Sequence, residues 1–83
     1  MATKPIGKII HYYDKLGVAI VHLDGKLKVG ERIRIERGDD SFDQEVASMQ
    51  VEHEEVVKAK KKDEVGIKVD GPTKEGALVY RIK

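Results

Sequence analysis

The side chains that could do chemistry are few and scattered along this sequence. Histidine occurs three times, at His11, His22 and His53, with no His-x-x-x-His pair, and cysteine is absent. A structural zinc site draws on four convergent ligands, so this supply does not predict a metal centre. Ser41 and Ser48 have no histidine at a suggestive spacing, and the carboxylates are dispersed. No G-x-x-x-x-G-K-[ST] segment offers backbone N–H groups to a phosphate, so GTP binding is not expected either. What remains is charge. Lys58, Lys60, Lys61 and Lys62 form the dense basic run, accessible to a phosphate backbone but equally suited to solvating a loop. Arg32, Arg34 and Arg37 form a second patch with Glu31 and Glu36 among them, a pattern that cross-strand ion pairing also explains. Tyr12, Tyr13, Phe42 and Tyr80 are too few to predict a stacking platform for nucleic acid.

The elements that must position these residues are short strands. Lys4 to Tyr13 mixes Pro5 with isoleucines and tyrosines, which favours a strand. Gly17 to Arg37 reads as a β-hairpin: the apolar strand GVAIVHL, a turn around Asp24-Gly25 and Gly30, and the alternating strand ERIRIER. In the first of these strands both faces are largely apolar, as expected of a strand partly covered on its outside. Leu27 stands alone as an apolar residue within the turn. Phe42 to Glu52 predicts one long strand with a bulge near Ala47 and Ser48, because its apolar parity changes there. Glu54 to Ala59 predicts a short strand, and Glu64 to Val69 and Ala77 to Ile82 predict two more, with Asp70-Gly71-Pro72 ending the first. About seven short strands and no helical period imply an all-β chain, one domain over residues 1–83, forming a small closed or nearly closed antiparallel barrel.

Composition narrows the class of partner. The chain carries 16 Lys and Arg against 15 Asp and Glu, a net charge of +1, so a global basic footprint for nucleic acid is missing. No cysteine and no long apolar run are present, so a cytoplasmic protein with no membrane span is expected. Dense balanced charge without asparagine or cysteine also suggests heat adaptation.

The order of motifs resembles the second domain of translational GTPases, particularly the elongation factors that deliver aminoacyl-tRNA. The hairpin matches G-x-L-x-x-G-[DE]-x-[IV] at Gly25 to Ile33, and Val46-Ala47-Ser48-Met49-Gln50 matches V-x-S-[IM]-[EQ]. Ala59-Lys60-Lys61-Lys62-Asp63-Glu64-Val65-Gly66 follows the A-x-x-G-D-N-V-G turn but puts Lys62 at its glycine and Glu64 at its asparagine. The resemblance implies a closed Greek-key β-barrel of six to seven strands without a GTPase domain. A related barrel also occurs as an accessory C-terminal domain of collagenase-like peptidases. The expectation is therefore a non-catalytic binding module without cofactor. RNA, tRNA or the ribosome would be held by Lys58, Lys60, Lys61 and Lys62, with His53 and Glu64 near the position that elongation factors use. The alternative is a protein-interaction module docking on a larger enzyme or factor, with Arg32 and Arg34 on the docking surface.

Overall fold

The computed structural model describes residues 4–52, 54–69, 71 and 73–82. Among these residues ten strands follow one another: β1 (Gly7–Tyr13), β2 (Val18–Leu23), β3 (Leu27–Lys28), β4 (Arg32–Arg37), β5 (Asp40–Glu45), β6 (Met49–Val51), β7 (Glu54–Val56), β8 (Lys58–Ala59), β9 (Glu64–Lys68) and β10 (Leu78–Ile82). The all-β class holds, and no helix occurs among the described residues. Eight strands form one antiparallel sheet in the order β5-β4-β10-β1-β2-β9-β6-β7, while β3 and β8 pair apart from it as a two-stranded ribbon.

The expected central hairpin is not formed. β2 pairs with β1 and β9, whereas β4 pairs with β10 and β5. The real hairpins lie on either side of the expected one. In the first, Tyr13 to Gly17 turns β1 into β2, with the Gly17 N–H donating to the Tyr13 carbonyl at 2.8 Å. In the second, Gly38 at φ 59° takes the first position of the two-residue turn between Arg37 and Asp40. The segment between β2 and β4 is drawn away because Leu27 is buried, at 1% exposure, and its strand pairs with β8. The expected long strand is likewise broken: β5 ends at Glu45, and β6 begins at Met49 beside other partners. Glu54 to Ala59 divides into β7 and β8, so the count exceeds the seven strands expected.

Alternation decides the inside of the sheet. Ala19, Val21 and Leu23 of β2, Ile33 and Ile35 of β4, and Val65 and Ile67 of β9 are all buried. Residues 46–48 link β5 at one end of the strand order to β6 near the other, and so short a link spans at most about 14 Å. The sheet must therefore curl until its ends approach. Across that approach the Gln44 side-chain amide of β5, 3% exposed, donates to the Lys68 carbonyl of β9 at 2.8 Å. Among the described residues no ladder joins the end strands β5 and β7, so the curled sheet is not closed into a barrel. Gln44→Ala removes the donor at this seam. It is expected to destabilise by about 1 kcal/mol, the usual net contribution of one hydrogen bond, read from thermal unfolding.

Candidate functional site

Two surfaces collect the residues that could bind a partner. The first is the outer face of β1, β2, β9 and β6. Pleating turns Val18 and Ile20 away from the core while Ala19 and Val21 fill it. The register between β1 and β2 shifts between Ile9 and His11, so Ile10 is the extra residue of a β-bulge and is only half-buried. Gly66 lies beneath this face: a Cβ there would stand 3.4 Å from Ile20 Cδ1 and 3.5 Å from Val18 Cγ1. The result is an open groove of about 780 Å³ floored by Ile10, Val18, Ile20 and Val51. Tyr13 and Leu16 stand beside it at 49% and 69% exposure. Glu52, Lys62 and Glu64 line the same groove, and His22 Nδ1 lies 3.8 Å from Glu64 Oε2.

Lys62 sits there on a strained turn. The Asp63 N–H donates to the Lys60 carbonyl at 3.0 Å, and Lys62 has φ 78°, the conformation of the third residue of a type II turn, which favours glycine. Lys62→Gly should raise stability by up to about 1 kcal/mol, the left-handed penalty less the entropy that glycine adds to the unfolded chain, measurable by denaturant unfolding.

The second surface is the β3–β8 ribbon. Leu27 and Ala59 face each other and point inward, while their neighbours Lys28 and Lys58 also face each other and are exposed. With Lys26 and Lys60 they line a groove of about 630 Å³ that also holds Glu31, Asp63 and Arg81. Glu31 accepts from Arg81 Nε at 2.9 Å and from the Lys28 N–H at 2.9 Å. Arg81 donates as well to the Lys26 carbonyl. Asp63 accepts from the Lys60 N–H at 3.1 Å.

The residues singled out in the sequence therefore do not form one site. Lys58 and Lys60 line the groove at the ribbon, whereas Lys62 and Glu64 line the apolar groove. Lys61 is exposed on the turn between them. Arg32 stands opposite Glu45 on the separate β4–β5 hairpin. Arg34 on that hairpin is committed to Asp43, with Nε 2.7 Å and Nη2 3.3 Å from its carboxylate oxygens. That charge-assisted bond holds the Asp43 carboxyl below its ordinary range and raises the Arg34 guanidinium. His53, and the Asp70 and Pro72 of the expected Asp70-Gly71-Pro72 turn, lie outside the described residues. Sequence reading missed Lys26, Lys28 and Arg81 as groove residues and Ile10 and Leu16 as surface apolar residues. Two signals pointed their way: the lone Leu27, and the two-sided apolar character of β2. Among the described residues, no group of three or more His, Asp or Glu could hold a metal ion, and no helix is long and apolar enough to cross a membrane.

No family model matches the chain. It is 37% identical over 79 residues to an uncharacterised protease of Methanocaldococcus jannaschii, a match that takes in 94% of this chain and 19% of that protein. The chain thus spans about a fifth of the length of this relative. Its fold is similar to two crystal structures of the C-terminal domain of a protein assigned to the U32 peptidases in Geobacillus thermoleovorans. One superposes with a TM-score of 0.90 at 18% identity, covering 96% of this chain and 93% of that one. The other, a selenomethionine form, gives 0.87 at 19% identity, covering 93% and 98%. These similarities correct the elongation-factor identification and the translation and RNA-binding roles attached to it. The matched motifs are scaffold residues, apolar alternation with glycine turns, which a curled sheet of this kind requires whatever it binds. At Lys62 and Glu64, positions of the motif's functional turn, the chain departs.

Proposed function

We propose that this chain is a non-catalytic accessory domain that docks on the body of a larger U32-type peptidase through the apolar groove of its outer face. The observation that carries this reading is the outward-facing set Ile10, Val18 and Ile20, half-buried, beside Leu16 at 69% exposure in one groove. Small domains bury such residues when they can, and an exposed apolar patch rimmed by charge marks a contact surface. The likeness to a segment of a protease supplies the partner: the remaining four-fifths of such a protein. Peptide hydrolysis belongs to that body. The groove has the apolar floor and charged rim of an interdomain contact.

The test is calorimetric binding of this chain to the remainder of the Methanocaldococcus jannaschii relative, with the relative's own matching segment as positive control. Saturable binding that Leu16→Glu or Ile20→Glu weakens at least about a hundredfold, the loss expected when a buried apolar anchor is replaced by a charge, supports the reading. Binding that ignores both substitutions, or none while the control binds, overturns it.

A further inference from the structure

The β3–β8 ribbon presents an arrangement that its own fold does not balance. Lys28 and Lys58 are direct cross-strand neighbours, and like charges so placed repel. Lys26 and Lys60 flank the two-pair ladder, each two residues from the paired lysine of its own segment, and all four lysines are exposed and line the groove while Leu27 and Ala59 anchor the ribbon beneath. Among the described residues, none of these four ammonium groups makes a hydrogen bond or ion pair. The groove's two carboxylates are already engaged, Glu31 by Arg81 and the Lys28 N–H, Asp63 by the Lys60 N–H. A net positive groove thus stands in a chain whose overall charge is only +1.

We infer that this ribbon binds an acidic polypeptide segment in extended conformation, with alternate carboxylates seated between the paired lysines. Side chains on one face of an extended peptide recur every second residue, the same period as Lys26 with Lys28 and Lys58 with Lys60. A carboxylate between Lys28 and Lys58 turns their repulsion into attraction to a shared anion. The groove's chemistry favours a peptide over nucleic acid. Arginine's planar fork is the side chain suited to bidentate phosphate contact, and the one arginine in the groove is taken by Glu31. Among the described residues no aromatic side chain lines the groove to stack a base. The site goes beyond the docking reading. Among the described residues the two grooves share only Asp63, so either can fail without the other.

The probe is a fluorescein-labelled hexaglutamate peptide titrated with the full 83-residue chain and followed by fluorescence anisotropy. Binding should saturate and weaken as salt rises through the physiological range, where screening reaches about 8 Å. Lys28→Glu or Lys58→Glu should lower affinity at least about tenfold, while Lys74→Glu, outside the groove, should change it less than about twofold. Either reversal also sets opposite charges face to face, so the melting temperature should hold or rise while binding is lost. A merely structural role for these lysines would not separate the two readouts. Four results overturn the proposal: equal binding of hexaglutamine, no saturation, an equal loss with Lys74→Glu, or tighter binding of a hexanucleotide.

Discussion

Replacing Gly7 with alanine should destabilise the domain by about 1–3 kcal/mol, the range for overpacking a filled core. A Cβ at this buried position would stand 2.6 Å from Val21 Cγ1 and 3.0 Å from the His22 carbonyl oxygen. Neither neighbour can give way. Val21 is a β-branched side chain at 1% exposure, stiff at χ1, and the His22 carbonyl is backbone within the β1–β2 pair. Gly7 is also bound on its other side, opposite Val79 of β10, so β1 cannot shift outward without opening a second ladder. At about 4–8 °C per kcal/mol for a domain of this size, the melting temperature should drop by roughly 5–20 °C. A drop under about 2 °C, the effect of an ordinary surface substitution, would mean that the strand adjusts freely.

Gly7 also shows where the sequence was legible and where it was not. Its neighbours Ile9 and Val21 announce their burial by alternation, and the inward faces of β2, β4 and β9 follow the period-two pattern residue by residue. Alternation assigns a residue to a face without naming the strand beside it. The segments Val18–Leu23 and Arg32–Arg37 read correctly as strands and wrongly as partners, because two hairpin turns, one on each side, compete for them. Nothing local says that Leu27 must reach the core and take its ribbon to Ala59, 32 residues later in number, although its lone apolar side chain in a polar turn hinted that the turn was not free. The change of parity at Val46 and Ala47 was real. A strand can absorb one extra residue as a bulge or end and change partners, and the pull of Gly30 and Glu31 on both polar groups of Val46 made it end. The sites suffered more. Lys58 to Lys62 are contiguous in sequence, yet the type II turn at Lys60 to Asp63 sends Lys58 and Lys60 to one groove and Lys62 to another. Lys26 and Lys28 flank Leu27 without any local sign of a role, and only the pairing of Lys28 with Lys58 brings both into one groove with Lys58 and Lys60.

Leu27→Ala has the other large effect, and it links the fold to the ribbon's proposed ligand. Leu27 is almost fully buried, and truncating such a leucine costs about 2–5 kcal/mol through lost transfer energy and the cavity left behind. The loss should not spread evenly. The β3–β8 ladder holds two residue pairs, extended by the Val29 N–H donating to the Val57 carbonyl at 2.8 Å, whereas β2 is paired along its length on both sides. A unit so thinly bonded opens below the global transition once its apolar anchor is gone. Amide hydrogen exchange should therefore accelerate at Val29 and Gly30 well before it does at Val21 in β2. Hexaglutamate affinity should fall with it, although every lysine remains, because the paired ammonium groups are no longer held in register. The contrast with Lys28→Glu separates two ways of losing the site: that variant removes charge and keeps the ribbon, and Leu27→Ala keeps charge and releases it. Uniform acceleration across β2 and β3 would instead show that the ribbon unfolds only with the whole domain, which would make Leu27 an anchor of the core at large.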